Sequence, residues 1–202
     1  MALTFDTEHP DRPCAPGTTA ALLDRLLARR MRATFFIQGR WAETYPETVG
    51  RIVEEGHAIG NHSHYHARMP LLTDAGLAAD LADATTAIEA VAGVSPRPWF
   101  RCPFGAGADD GRVLAAVADA GYRHVGWHVA ADDWEPERGA EVIEHDIVDG
   151  VLAHGDGAVV LLHAWPTAML EAFEPIVTRL VAAGASFVGI DDLADPPTGV
   201  PG

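Results

Sequence analysis

Short apolar runs alternate with longer amphipathic stretches along the chain, and this alternation constrains the fold more than any other sequence feature. Each apolar run is too short for a helix, and several are rich in valine, isoleucine or phenylalanine, as buried strands are. The predicted strands are residues 2–5, 33–37, 57–60, 99–101, 122–127, 158–162 and 186–190. Strands that alternate with helices are joined by right-handed crossovers, so we expect a parallel sheet.

The stretches between the strands place apolar residues at helical spacing. Six helices are predicted, around residues 22–27, 46–56, 77–91, 113–117, 142–151 and 170–180. A glycine closes most of them, as expected for a left-handed residue after a helix, and Pro175 is expected to kink or split the sixth. Seven strands and six helices fit an open doubly wound sheet or a β/α barrel, in a single domain over residues 1–202.

The charge of the chain argues against two classes of partner. Fourteen basic and 29 acidic residues give a net charge of −15, which would repel nucleic acid and anionic membranes. No apolar run reaches the roughly 18 residues needed to cross a membrane, and the first residues do not resemble a secretory signal. We therefore expect a cytoplasmic protein, unless a leader was removed. Cys14 and Cys102 are then expected to be thiols, and the sequence does not say whether they meet.

Polar side chains fall just after five of the predicted strands. They are Asp6, the cluster of residues 62–66, Arg101, Asp133 and His163. The carboxyl ends of the strands of a β/α barrel meet at one mouth, which is where such barrels carry their active sites. Five separate clusters at this position favour the barrel over the open sheet.

Two histidines and two carboxylates in these clusters suggest a metal site. On a helical turn, His62 and His66 would project from one face, a spacing suited to two imidazole ligands, whereas His64 would point elsewhere. Asp6 and Glu8, two residues apart after a strand, can both face the mouth. One carboxylate would then bind the metal while the other acts as a base. The alternative is a loop of partly exposed histidines beside ordinary loop carboxylates.

Arg101 lies at a buried strand end and therefore needs a carboxylate partner, because an unpaired buried charge is costly. A purely structural salt bridge is the competing interpretation of this residue. Pro103 and Gly105 follow it and suggest a fixed turn, whose backbone N–H groups would face a substrate oxygen.

Taken in order, these motifs resemble those of the polysaccharide deacetylases, which form carbohydrate esterase family 4. The matching segments are Leu3-Thr4-Phe5-Asp6, Asn61-His62-Ser63-His64-Tyr65-His66, Arg101-Cys102-Pro103-Phe104-Gly105, Asp133-Trp134 and Leu161-Leu162-His163. The resemblance covers nearly the whole chain. It implies a distorted (β/α) barrel with about seven parallel strands and a divalent metal, most often zinc, with cobalt, nickel or manganese as alternatives. It also implies hydrolysis of an N- or O-acetyl group from a sugar.

The resemblance also implies a role for each matching residue. Asp6 matches the general base, His62 and His66 the metal ligands, Arg101 the residue that orients the base, and the backbone N–H of Phe104 the oxyanion donor. Asp133 matches the partner of the general acid His163, and Trp134 and Leu161 match the walls of the acyl pocket. The family usually has a second aspartate where this chain has Thr7. Thr7 is a poor metal ligand, so Glu8 is expected to take that place.

The sequence therefore predicts a metal-dependent deacetylase of an acetylated carbohydrate. A hydrolase of a cyclic amide or ureide is the alternative within enzymes, and an inactive sugar-binding relative is the alternative outside them. The short segment before the first motif and the net charge of −15 suggest a small acetylated metabolite rather than a wall polymer. The sequence does not indicate an oligomeric state.

Overall fold

A computed structural model describes residues 1–8 and 15–200. Seven strands form one sheet: β1 (Ala2–Thr7), β2 (Thr34–Ile37), β3 (Ala58–Asn61), β4 (Trp99–Phe100), β5 (Arg123–His124), β6 (Val129–Ala130) and β7 (Val159–His163). Their order across the sheet is β5-β4-β3-β2-β1-β7-β6, and every pair is parallel. The sheet curls into an incomplete barrel with helices outside it, which confirms the predicted fold class.

Seven α-helices accompany the strands in the described part of the chain. They are α1 (Thr18–Arg29), α2 (Gly39–Thr44), α3 (Pro46–Glu54), α4 (Asp74–Ala92), α5 (Gly111–Asp119), α6 (Ala140–His154) and α7 (Thr167–Ala182). The six predicted helices are all present. The short helix α2 was not predicted, because its six residues are too few to show a helical period. Helix α7 continues through Pro175, so the expected split does not occur.

One predicted strand is wrong, and one observed strand was not predicted. Residues 186–190 form no strand pair with the sheet. Val188 N–H donates to Met1 O, the Met1 amino group donates to Ser186 O, and Ile190 N–H donates to the Thr34 hydroxyl. Strand β1 already pairs on both sides, with β2 and β7, so it offers no free edge to a further strand. The seventh strand is instead β6, which continues the sheet beyond β7.

The two end strands, β5 and β6, do not pair with each other, and the end of the described chain lies against the backbone between them. The Gly126 N–H donates to Pro197 O (2.7 Å), and the Trp127 N–H donates to Gly199 O (3.2 Å). The His124 Nδ1–H donates to Thr198 O (3.1 Å). Residues 197–199 therefore occupy the open side of the barrel.

The alternation of side chains along β1 positions the functional groups. Leu3 and Phe5 point outward into the large apolar cluster under the helices, which also contains Phe35. Thr4 and Asp6 point inward, where both contact Arg101. Because side chains alternate along a strand, the face that carries Asp6 also carries Glu8 just beyond the strand end.

In the described part of the chain, no helix has the length and apolar character needed to cross a bilayer. Cys102 is a buried free thiol, while Cys14 lies outside the described residues.

Candidate active site

A cavity of about 860 Å³ opens at the carboxyl ends of the strands, as the sequence predicted for an active site. Eight of the predicted site residues line it: Asp6, Glu8, His62, His66, Phe104, Trp134, Leu161 and His163. The other two, Arg101 and Asp133, lie behind this wall, where each contacts one of the lining residues. The structure therefore brings all ten predicted residues to one mouth of the barrel.

Arg101 fills the barrel interior beneath the cavity and is fully buried. Its Nη1 donates to Asp6 Oδ1 (2.8 Å) and Thr4 Oγ1 (2.8 Å), and its remaining donors reach the carbonyls of Val125 and Gly126. Its guanidinium carbon also lies 4.0 Å from the centre of the Phe36 ring. The predicted carboxylate partner of Arg101 is thus Asp6. The pair is a buried salt bridge in the barrel interior, and one of its members, Asp6, also lines the cavity.

The same contacts set the protonation state of Asp6. Burial alone would raise its pKa, but the charges of Arg101, His62 and His163 outweigh burial and hold the pKa below its usual range. Asp6 is therefore ionised at neutral pH. One oxygen is occupied by Arg101, and the other, Oδ2, lies 3.5 Å from His62 Nε2.

The two predicted histidine ligands meet in a loop rather than on the helical turn suggested by their spacing. Ser63 and His66 both have left-handed backbones, with φ of 69° and 56°, which turns the His66 ring back to within 4.9 Å of the His62 ring. The carboxylate of Asp80 on α4 accepts the backbone N–H groups of His64 and Tyr65 and fixes this loop. The side chain of His64 packs against Tyr65, outside the cavity lining, as expected.

His62 presents a single nitrogen to the cavity. Its Nδ1–H donates to the carbonyl oxygen of Arg101 (3.0 Å), which leaves Nε2 facing Asp6. Burial lowers the pKa of His62, so the ring is neutral and Nε2 carries a lone pair. A lone pair that faces an ionised carboxylate is favourable only with a cation or a proton between them. This arrangement, in which the Arg101 carbonyl holds the tautomer, suits a metal ligand.

Glu8, rather than Thr7, faces the cavity. Its Oε1 lies 3.7 Å from His66 Nε2 and 3.5 Å from His163 Nε2. Thr7 points away, since its hydroxyl donates to Phe36 O (3.3 Å) and accepts the Gln38 N–H (3.1 Å).

The donor set consists of two imidazoles and one carboxylate, which is chemistry that zinc accepts. In residues 1–8 and 15–200 no three His, Cys, Asp or Glu side chains form a preformed metal site. The 3.7 Å between Glu8 Oε1 and His66 Nε2 nevertheless exceeds by only a few tenths of an ångström the roughly 3.3 Å between neighbouring ligands on tetrahedral zinc. The donor atoms are therefore of the type that zinc binds, and the side chains would have to move closer together by only a small distance to bind it.

Asp133 holds His163 on the opposite wall. His163 Nδ1–H donates to Asp133 Oδ1 (2.7 Å), and the backbone N–H of His163 donates to Oδ2 (2.8 Å). Burial opposes the charged ring, but Asp133 and the carboxylates of Glu8 and Asp6 raise the pKa of His163 to about 9. The ring is therefore protonated at neutral pH, with Nε2–H directed toward the cavity side that carries Glu8.

The remaining predicted residues shape the wall. Phe104 lies in the turn Pro103–Gly105 with φ of 58°, and its ring contacts His66 at 4.5 Å between centres. Trp134 and Leu161 line the cavity as expected, and Trp134 is 43% exposed. The role of the Phe104 N–H as an oxyanion donor stays a prediction.

Sequence reasoning missed several lining residues, including Arg68, Trp127 and His128. Arg68 could have been expected near the site, because it follows His66 by two positions in the loop that carries the histidines. Trp127 ends the predicted strand 122–127 and His128 follows it, so their position at the carboxyl end of a predicted strand was the available signal.

Comparison with known proteins places this site in a family. The sequence profile described as "Polysaccharide deacetylase" matches residues 1–125. The peptidoglycan-N-acetylmuramic acid deacetylase PdaA of Bacillus subtilis is 31% identical over 193 residues, which are 95% of this chain and 70% of that protein.

Solved structures agree with the sequence match. A family 4 carbohydrate esterase from Streptomyces lividans in complex with acetate superposes with a TM-score of 0.79 and 29% identity, over 93% of this chain and 90% of that one. A family 4 acetyl xylan esterase from Clostridium thermocellum in complex with a cobalt ion gives 0.83 and 30%, over 95% and 88%. A CE4 family pseudoenzyme from Bacillus anthracis gives 0.84 and 25%, over 96% and 64%. The chain belongs to the polysaccharide deacetylases of carbohydrate esterase family 4.

Proposed function

We propose that this protein is a metal-dependent deacetylase that hydrolyses the acetamido group of an N-acetylated sugar. One observation carries the proposal: an ionised carboxylate and a protonated imidazole face the same cavity, each held in that state by a buried partner. Hydrolysis of an amide requires both, because water must lose a proton as it attacks and the amine must gain one as it leaves.

Asp6 is the general base in this proposal. Its Oδ1 is occupied by Arg101, so Oδ2 is the oxygen that accepts a proton from the attacking water. The lowered pKa of Asp6 makes it a weak base in isolation. Its strength as a catalyst therefore depends on the acidity of the water.

A divalent cation bound by Glu8, His62 and His66 would supply that acidity and would polarise the acetyl carbonyl. The neutral ring of His62, with Nε2 left for a ligand, supports this assignment. Glu8 is the proposed carboxylate ligand of the metal, because the Thr7 hydroxyl is already hydrogen-bonded to the backbone of Phe36 and Gln38.

His163 is the general acid. Its raised pKa keeps the Nε2 proton in place at neutral pH, and Asp133 fixes the ring through Nδ1. The backbone N–H of Phe104 is the proposed donor to the oxyanion, and Trp134 with Leu161 forms the apolar wall for the acetyl methyl group.

The proposed substrate is a polymer of N-acetylated sugars. The Bacillus subtilis relative is named for peptidoglycan-N-acetylmuramic acid, and the site opens widely enough, at about 860 Å³, for a sugar within a chain. A small acetylated metabolite, which the sequence suggested, is the second candidate. A steep rise of kcat/KM from monomeric to hexameric N-acetylglucosamine would favour the polymer, and equal values would favour the metabolite.

Two other functions are tested by the same assay. The pseudoenzyme from Bacillus anthracis shows that this fold also occurs without activity, but retention of both Asp6 and His163 favours an active enzyme. The test is acetate release from acetylated sugars, run beside hydrolysis of cyclic amides and ureides, with zinc, cobalt, nickel and manganese. We expect acetate from the sugars; turnover of cyclic amides alone, or of nothing, would contradict the proposal.

A further inference from the structure

Arg68 lines the catalytic cavity without a carboxylate partner. Within residues 1–8 and 15–200, no Asp or Glu oxygen lies within ion-pair distance of its guanidinium, whose central carbon lies 4.5 Å from the centre of the Phe104 ring. The arginines nearby differ: Arg101 is paired with Asp6, and Arg138 with Asp132 and Asp146. Arg68 is thus an unneutralised cation at the rim of the site.

The position of Arg68 relative to the reacting groups follows from two ring contacts. Its guanidinium lies over Phe104, and Phe104 in turn packs against the proposed metal ligand His66, with 4.5 Å between ring centres. Phe104 is 51% exposed, so the stacked pair is open to solvent and to a bound molecule. Arg68 therefore lines the part of the cavity next to His66, one of the proposed metal ligands.

The negative charge of the protein means that Arg68 would affect acidic and neutral sugars differently. The chain carries a net charge of −15, and Asp6, Glu8 and Asp132 all line the cavity. Asp6 and Asp132 are paired with Arg101 and Arg138, so repulsion of an acidic sugar comes mainly from the net charge of the chain, and a local cation would offset it. A guanidinium suits the task, because its planar set of donors matches the two oxygens of a carboxylate and it stacks readily on an aromatic ring.

We propose that Arg68 binds a carboxylate of the substrate, so that the enzyme prefers N-acetylated sugars that carry a carboxylate beside the acetamido group over their neutral counterparts. The proposal rests on the proposed deacetylase function and adds a specificity determinant to it. Arg68 selects the substrate and takes no part in the proton transfers.

A matched pair of substrates tests the proposal. Oligosaccharides of N-acetylglucosamine are compared with the same oligosaccharides bearing a lactyl ether on O3, as the free carboxylate and as its methyl ester. In the wild-type protein, kcat/KM should be higher for the carboxylate than for the ester or the neutral sugar. Arg68→Gln should lower this preference about two- to fivefold, mainly through KM, and Arg68→Lys should keep part of it. The preference should also weaken at high salt.

Arg123→Gln is the matched control, since Arg123 also stacks on an aromatic ring, that of Trp99 at 5.4 Å, but does not line the cavity. It should leave the preference unchanged. An equal preference in the wild-type and Arg68→Gln proteins would overturn the proposal. Calorimetric measurement of the binding of the same acidic and neutral sugars tests the role of Arg68 separately from the deacetylase activity. If no sugar releases acetate, the deacetylase proposal fails, and the ratio of the two Kd values in each variant still decides the role of Arg68.

Discussion

Asp133 holds His163 at two points, accepting both the ring Nδ1–H at 2.7 Å and the backbone N–H at 2.8 Å. The first contact orients the ring and keeps it charged. The second fixes the end of strand β7 from which the ring projects. A single carboxylate thus sets both the charge and the position of the proposed acid.

The pH dependence of turnover should change when this carboxylate is neutralised. Burial lowers the pKa of His163, and the acidic neighbours raise it to about 9. Asp133→Asn removes the strongest of these neighbours, so the pKa should fall and the acid should be lost at a lower pH. The alkaline limb of kcat/KM for an acetamido sugar should therefore move to lower pH. An alkaline limb at the wild-type position in Asp133→Asn would show that His163 is not the titrating acid.

The nature of the leaving group provides an independent check on His163. His163→Ala should reduce turnover of N-acetyl sugars by about 10²–10⁴, because an amine leaves poorly without a proton. The loss should be much smaller for aryl acetates, since a phenolate leaves unprotonated. Equal losses on both substrates would remove His163 from the role of leaving-group acid.

Much of this site could be predicted because each motif follows a strand, and the carboxyl ends of parallel strands converge. The alternation of side chains along β1 accounts for Asp6 and Glu8 on the inner face. Other features depended on tertiary contacts that a local pattern does not contain. The two residues of β6 are a strand only because β7 lies beside them. The loop that contains the left-handed Ser63 and His66 is held by Asp80, which accepts the N–H groups of His64 and Tyr65 from 16 and 15 residues away in the sequence.

The amount of metal retained by alanine variants should show whether Glu8 or Thr7 is the ligand. We expect His62→Ala, His66→Ala and Glu8→Ala each to reduce the metal retained after dialysis, measured by elemental analysis. Thr7→Ala should retain the wild-type metal content, because the Thr7 hydroxyl bonds to Phe36 O and Gln38 N. Its effect should be a loss of about 1 kcal/mol in the free energy of unfolding. Full metal content in Glu8→Ala with loss in Thr7→Ala would reverse the assignment.

The Asp6–Arg101 pair should be needed for stability as well as for turnover. Arg101→Met leaves the Asp6 carboxylate buried without its main partner, so we expect a loss of about 3–5 kcal/mol in the free energy of unfolding by urea. Asp6→Asn keeps an oxygen acceptor for Arg101 Nη1 but removes the charge, so it should also lower the free energy of unfolding, and it should lose turnover by about 10²–10⁴. Arg29→Met, which removes an exposed pair with Glu174, serves as the control and should cost about 1 kcal/mol or less. A cost for Arg101→Met no larger than that of the control would contradict the account of this pair.

The close approach of residues 197–199 to Gly126 should make any larger residue at this position destabilising. A Cβ at Gly126 would lie 1.6 Å from Gly199 O, so Gly126→Ala must displace residues 197–199 from the open side of the barrel. We expect a loss of about 1–3 kcal/mol in the free energy of unfolding. Gly50→Ala, in helix α3 with nothing within 4 Å of the added Cβ, should instead stabilise the protein by about 0.5–1 kcal/mol. Equal effects of the two substitutions would show that the segment does not pack as described.

The most direct measurement is a titration of metal-free protein with zinc, in which bound metal and acetate release from an N-acetylglucosamine oligomer are followed together. Acetate and free amine should appear in equal amounts, and the rate should rise with bound zinc and level off at about one ion per chain. The same titration of Glu8→Ala should require far more zinc. Full acetate release by the metal-free protein would contradict metal dependence, and no acetate from the zinc-loaded protein would contradict the deacetylase itself.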